Sequence, residues 1–423
     1  MMRTTAATHM KMMSRRSAMG LAMAVAIPLV TTDIVRLAAK ETAQGSWMHA
    51  GNAARTGEMP GPGLDLDQEI VELWRTGLGV SDVIFDPCGV CDGIVYYLPV
   101  PNGVSAEVRP LIAIDATSGV QLWTHEPPLT DPPSSFIGLP AIADGMLVMA
   151  TFGGLLVAMD AKTGEERWIF DLQGKPSAFH PAILDGVVYV SDSTSVNAVK
   201  SGDTPEWLWK TSLADGVQSV VSPTVSVDDG FVVVSSVSPL PGSTSDEKDS
   251  VIHVLNAEDG VEAYRYQFQT GGEQYQFAIR DGVLYSRSDN SSIGRGFIFS
   301  MAVDGTYRWH FRTSVGAPAY PAVSDDMIFV VGGEVVFGVN PATGETVWQS
   351  PALETLDTDL VVIDGAVYVG TAPPGQHVYA LSASDGSLSH AIPIGDHGGR
   401  VVGVTEGVLI ARVGTHLAAY GNV

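Results

Sequence analysis

The chain has 423 residues, with 47 acidic against 23 basic side chains, a formal charge of −24, 45 % apolar residues, 46 glycines and 25 prolines. That apolar fraction supports a packed core and excludes a disordered chain. The acidic balance excludes nucleic-acid binding and adhesion to an anionic membrane surface, both of which need clustered Lys and Arg.

Residues 1–40 hold six of the basic side chains and one acid. Within them a charged head ending in Arg15-Arg16 precedes a modestly apolar run of about a dozen residues, short for a membrane span. The order Ser14-Arg15-Arg16-Ser17 resembles a twin-arginine export signal that lacks the usual bulky apolar pair. Residues 1–40 are therefore expected to be an export signal or an uncleaved anchor, with no other transmembrane segment, and the protein to work outside the cytoplasm. The first cysteine is Cys88, which argues against a lipid-modified cysteine after the signal. Residues 41–69 are expected to form a leader packed on the domain that follows.

From residue 83 an Asp-Gly or similar pair recurs between two β-rich runs, with its glycine at 93, 145, 186, 230, 282, 365 and 407 and with Asp325-Asp326 in the remaining place. The intervals run from 39 to 52 residues. A period in the forties with short strands is the pattern of propeller blades, four-stranded sheets that bury their faces only against one another. Asp-Gly suits a two-residue hairpin because both central positions need positive φ.

A second element follows each hairpin, clearest at Ala158-Met-Asp160-Ala-Lys-Thr163-Gly164-Glu-Glu-Arg-Trp168. The Gly-to-Trp spacing recurs at Gly119 and Trp123, Gly305 and Trp309, and Gly344 and Trp348. Tyr264 and His390 replace the indole in two copies, and Trp209 follows an irregular turn at Asp203-Thr204-Pro205. These outer-strand aromatics are expected to fill the gaps between blades. The eighth copy ends one strand short at Val423, while Ile70-Val-Glu-Leu-Trp74-Arg-Thr has outer-strand character and no strands before it. The expected fold is all-β, an eight-bladed propeller of four-stranded antiparallel blades over residues 70–423. The strand around Trp74 would complete the last blade and remove its exposed edges.

These residues resemble the pyrroloquinoline-quinone-like repeat, the blade unit of quinoprotein alcohol dehydrogenases and of the propeller lipoprotein that assists outer-membrane protein assembly. The motif Ala-x-Asp-x-x-Thr-Gly-x-x-x-Trp is complete at 158–168 and differs at 113–123 by Ser118. The leader Trp47-Met-His49-Ala-Gly51-Asn52-Ala-Ala-Arg55-Thr56-Gly57 is similar to the segment before the first blade in such proteins.

Innermost strands line a propeller axis, so the residue preceding the recurrent inner-strand proline should lie near the channel mouth. The resulting ring is Asp86, Leu139, His180, Ser222, Gln276, Tyr320, Asp359 and Val401, with Arg400 beside the last. Its polar members Asp86, His180, Gln276, Tyr320, Asp359 and Arg400 form the candidate ligand site. The competing reading is a wet channel mouth without a specific ligand.

Cys88-Gly-Val-Cys91 lies on the first inner strand, one residue longer than its counterparts, which suggests a bulge closed by a local disulfide. A redox pair is the alternative, although no helix or βαβ pattern surrounds it. No close-spaced set of ligands points to a metal, and Asp246-Glu-Lys-Asp249 lacks the spacing of a calcium loop.

The resemblance implies that a quinone enzyme would hold its cofactor between a Trp and an adjacent cysteine pair, with a carboxylate base and Ca²⁺ nearby. Here the cysteines are separated by two residues and no calcium set is recognisable. The leading expectation is an exported, non-catalytic binding or scaffold propeller presenting its loops to a protein or extracytoplasmic ligand. The alternatives are a quinone-dependent oxidoreductase with PQQ and Ca²⁺, or a lyase or hydrolase using His180 or Tyr320 at the mouth.

Overall fold

The computed structural model describes residues 48, 50–77, 88–99, 109–130, 134–173, 180–213, 220–221, 224–239, 248–268, 276–290, 295–313, 320–356 and 360–423. Their strands form eight antiparallel sheets, seven of them ordered from inner to outer strand in chain order. The chain is an all-β, eight-bladed propeller. Blades one to seven take residues 88–125, 136–171, 182–212, 220–268, 278–312, 322–349 and 361–393. The fourth blade has its inner strand split into Val220–Val221 and Ser226–Asp228, both paired with Phe231–Pro239, so the sheet counts five strands. No helix among the described residues is long and apolar enough to cross a membrane.

Burial follows the position of each strand in its blade. The second strand, as in Met146–Thr151 or Ile328–Val331, is buried along its whole length because neighbouring blades cover both faces. The outer strand Glu166–Asp171 buries only Trp168, so one aromatic anchors an otherwise wet edge.

The eighth blade consists of Gly399–Thr405, Val408–Val413 and His416–Asn422, and its outer strand is Ile70–Gly77. That strand pairs antiparallel with His416–Asn422, from Ile70 opposite Asn422 to Gly77 opposite His416, with a bulge between Glu72 and Trp74. A ring joined in this way leaves no open edge between its first and last blades.

Seven hairpins between first and second strands have both central residues at positive φ, from Asp92 (49°) with Gly93 (74°) to Glu406 (47°) with Gly407 (73°). That is the type I′ geometry, which matches the twist of the strands it joins. The exception is Asp325-Asp326, where Ser324 and Met327 close a different turn through a 2.9 Å backbone hydrogen bond.

The strand at the first cysteine pair departs from expectation. Cys88 to Cys91 pairs with Ile94 to Tyr97 without a register shift, so no bulge separates the cysteines. Residues three apart in an unbroken strand stand about 10 Å apart, too far for a disulfide, which needs Cα atoms within about 7 Å. Cys91 is a free, buried thiol. Burial pushes that thiol up, the opposite of what a reactive cysteine needs.

Candidate functional site

The leader enters the axis of the ring. From Met48 to Pro62 it visits the inner strands of blades three to eight in order, always three residues before the hairpin glycine or at that glycine. The Met48 sulfur accepts from Ile183 N–H, and the carbonyls of Ala53, Ala54, Thr56 and Gly57 accept from Val227, Ile279, Val323 and Val362. Pro62 O accepts from Gly407 N–H. Asn52 makes the corner, with its Nδ2 donating to Thr56 Oγ1 at 2.7 Å and its Oδ1 accepting from Thr56 N–H. At Gly51 a Cβ would stand 2.5 Å from Glu58 O, so only glycine fits there. Gly51, Asn52, Ala53, Arg55, Thr56 and Gly57 are all buried, so the segment fills the axis at this level instead of lining a pore.

Arg55 is the centre of this knot and is 0 % exposed. Its guanidinium donates to the carbonyls of Val225 (3.0 Å), His180 (2.9 Å) and Pro181 (2.8 Å). Burial pushes it down to about 9, still above neutral pH, so the cation is kept and met by carbonyl dipoles. A second tie lies toward the hairpin end, where Arg280 bridges Glu58 of the leader and Asp325.

The mouth residues lie beyond this floor. His180 is half-buried and forms a parallel bridge to Thr224 of the next blade. Gln276 is buried and its carbonyl accepts from Ser286 Oγ at 2.6 Å. Tyr320 is half-buried with the Arg287 guanidinium 4.5 Å above its ring, a cation–π contact that residue order did not suggest. His180, Gln276 and Tyr320 therefore sit at the same end of the inner strands of blades three, five and six. Arg400 is half-buried across the ring in blade eight, paired with Arg412 in the ladder. Leu139 and Val401 are buried. Asp86, Ser222 and Asp359 lie outside the described residues, as do residues 11–30 and Asp246.

The outer-strand aromatics are docked between blades. Indole N–H groups of Trp74, Trp123, Trp209, Trp309 and Trp348 donate to Ala116, Ala161, Ala257, Pro341 and Ala383 of the following blade, at 2.7 to 3.2 Å. Each ring lies on the turn glycine of that blade: a Cβ at Gly164 would stand 2.6 Å from Trp123, and at Gly386 2.2 Å from Trp348. A tyrosine or phenylalanine of the second strand leans on the same indole, as Tyr96 on Trp123 at 5.9 Å and Phe329 on Trp348 at 5.8 Å. An aromatic residue three positions after the second hairpin residue, at Tyr96, Tyr189, Tyr285 and Phe329, was the sequence signal for this partner. Among the described residues Trp168 is equally buried without a glycine under its ring, and Trp207 packs against Phe170 instead.

One polar relay was not foreseen. Ser236 Oγ lies 2.8 Å from His253 Nε2, and His253 Nδ1 lies 2.6 Å from Glu262 Oε1, across three strands of blade four. The order is that of a hydrolase triad. Ser236 is 3 % and His253 1 % exposed, however, so the hydroxyl is out of reach of a substrate. The relay satisfies buried polar atoms and braces the blade. Burial pushes Glu262 up, but hydrogen bonds from His253 and Arg265 outweigh it and hold the carboxyl below its usual range.

The quinone implied by the resemblance does not fit the described residues. The seven described tryptophans all stand on outer strands, and Trp207 packs edge-on against Phe170 at 5.0 Å. The cysteines are extended along one strand, and no group of three or more His, Cys, Asp or Glu side chains suited to a metal occurs among the described residues.

Comparison with known proteins agrees with the architecture. The family described as outer membrane protein assembly factor BamB matches residues 109–235 and 248–412. The tetrathionate hydrolase of Acidithiobacillus ferrooxidans is 21 % identical over 287 residues, 63 % of this chain and 55 % of that protein. The outer membrane protein assembly factor BamB of Xanthomonas campestris is 23 % identical over 152 residues, 34 % of this chain and 36 % of that protein. The chain thus spans roughly a third to a half of the length of these relatives. Among solved structures, a europium-containing methanol dehydrogenase superposes with a TM-score of 0.59 at 12 % identity, covering 89 % of this chain and 98 % of that chain. Likeness at this identity shows the fold alone.

Proposed function

This chain belongs to the PQQ-like propeller family described by the outer membrane protein assembly factor, and on that footing we propose that it is an exported, non-catalytic binding scaffold. The observation that carries the reading is the filled axis. At the level of the inner strands the axis is occupied by the leader and the Arg55 guanidinium. Among the described tryptophans, five indoles are hydrogen-bonded across blade interfaces. What remains available is the loop surface around a rigid ring, the usual place for partner recognition on such a scaffold.

The twin-arginine-like segment at residues 14–17 and the likeness to the outer membrane protein assembly factor support an extracytoplasmic site of action, with a protein of that compartment as partner. The mouth at His180, Gln276 and Tyr320 is the second candidate surface, supported by the Arg287–Tyr320 contact.

Purified full-length protein mixed with PQQ and Ca²⁺ is expected to show no bound-cofactor absorbance and no alcohol-dependent dye reduction. A saturable cofactor spectrum together with dye reduction contradicts the scaffold reading and favours the oxidoreductase.

A further inference from the structure

In each of the eight blades the outer strand pairs on one side only among the described residues. Its other edge turns backbone N–H and C=O groups outward, where they can template an added strand.

Charge sets one of these edges apart. On the other outer strands every Lys or Arg meets a carboxylate of its own blade: Arg75 meets Glu72 at 2.6 Å, Arg167 meets Asp160 at 2.7 Å, Lys210 meets Asp192 at 3.2 Å and Arg265 meets Glu262 at 3.1 Å. The outer strand of blade five, Tyr307–Arg312, contains no acid. Neither Arg308 nor Arg312 has an ion pair among the described residues, and both are exposed. In a chain of formal charge −24 this strand is a strip of uncompensated positive charge. The partner it fits is therefore acidic.

The strip has an ordered setting. Trp309 and Phe311 turn inward, the indole donating to Pro341 O of blade six at 2.9 Å and the phenyl ring packing edge-on against Phe337 at 5.3 Å. That leaves Arg308, His310 and Arg312 as exposed positions along the edge. Four residues of strand place the two arginines about 13 Å apart. The Tyr307 hydroxyl lies 2.6 Å from His310 Nδ1, and the His310 ring stands edge-on to Phe297 at 5.9 Å. Tyr307 is 45 % exposed. Tyrosine and arginine side by side, fixed before binding, are the residues that protein-recognition surfaces concentrate. Burial and the nearby Arg312 charge hold His310 below its usual range, so the two guanidiniums carry the charge.

We propose that the Tyr307–Arg312 edge takes up an extended acidic segment of a partner protein as an added strand of blade five, with carboxylates four residues apart meeting Arg308 and Arg312. The segment's main chain pairs with the outward edge, and strand alternation puts carboxylates four residues apart on one side. The proposal rests on the reading of the protein as a binding scaffold and names one of its surfaces.

The probe is the dye-labelled peptide Thr-Glu-Val-Thr-Val-Glu-Thr, titrated with full-length protein at low salt and followed by fluorescence anisotropy. It should saturate with a dissociation constant on the order of 100 μM, weaken severalfold in about 0.5 M salt, and fail to bind when both Glu are replaced by Lys. The double variant Arg308→Glu, Arg312→Glu should bind at least about tenfold more weakly at an unchanged melting temperature. Lys162→Glu, an exposed cation on a turn of blade two, should bind as the wild type does. Methylating the backbone nitrogens of one alternate set of peptide residues should abolish binding and methylating the other set should spare it, because only every second amide of an added strand faces the edge. No saturation at about 5 mM peptide, near the weakest affinity a specific strand contact would give, overturns the proposal. Undiminished binding by the charge-reversed protein, or equal tolerance of both methylated sets, overturns it as well. Polygalacturonate bound through Arg308 and Arg312 in place of the peptide would assign the edge to a glycan and contradict the proposal. Quinone-dependent activity in a protein that still binds the peptide would remove the scaffold reading and leave the edge site standing.

Discussion

Arg55 Nη2 donates to the backbone carbonyl of His180 at 2.9 Å, joining the buried cation of the leader to the inner strand that opens onto the channel mouth. The same guanidinium also holds Pro181 and Val225, so three carbonyls depend on one side chain. Arg55→Met should leave them unpaired in a dry axis and lower stability by about 3 kcal/mol in urea denaturation. Arg55→Lys should not restore the loss, because an ammonium cannot reproduce the planar fork. Full rescue by lysine would contradict the assigned geometry.

Turn glycines should differ sharply in tolerance. Gly164 has φ +73° and its Cβ would stand 2.6 Å from the Trp123 ring, so Gly164→Ala should cost about 2–3 kcal/mol. Gly202→Ala meets open space at ordinary φ and should change stability by less than about 0.5 kcal/mol. Denaturation midpoints of the two variants check the contrast, and equal losses would contradict the seating of Trp123 on Gly164.

The Ser236–His253–Glu262 relay should behave as a brace. Ser236→Ala strands the buried His253 Nε2 and should cost about 1–2 kcal/mol. The folded protein should resist fluorophosphonate labelling at Ser236. Stoichiometric labelling, detected by peptide mass, would assign the serine as a nucleophile instead.

Asp228 supplies a pH signature. Burial, reinforced by the neighbouring Asp229 charge, pushes its carboxyl up to about 6. A carboxyl raised in the folded state contributes stability below its unfolded pKa and loses it as pH rises through the folded value. Stability should therefore fall between about pH 4 and 6 through this group. Asp228→Asn should gain on the wild type by on the order of 1–2 kcal/mol across that window. A difference independent of pH would refute the assignment.

The propeller was legible because its signals are local and repeated. Asp-Gly pairs demand a type I′ turn, and six of the eight outer strands carry a tryptophan, with Tyr264 and His390 in the other two. The closing role of residues 70–77 followed from counting strands. The cysteine bulge was misplaced because chain length alone does not say where an extra residue sits, and the ladder from Cys88 to Cys91 runs unbroken. The path of the leader was hidden for a different reason. Arg55 and Gly57 act through backbone groups of blades distant in sequence, a contact that no periodicity encodes. The irregular turn at 203–205 was visible in the sequence, but that it leaves Trp168 of the preceding blade without a glycine under its ring was not.

The central claim is that the leader closes the axis, and native-state hydrogen exchange at the amides of Val227, Ile279, Val323 and Val362 tests it most directly. These four donate to the leader carbonyls of Ala53, Ala54, Thr56 and Gly57. They should exchange only with the slowest, globally protected class in the wild type, and become faster together in Arg55→Met. Exchange at these amides as fast as in exposed turns of the wild-type protein would show an open channel and contradict the account.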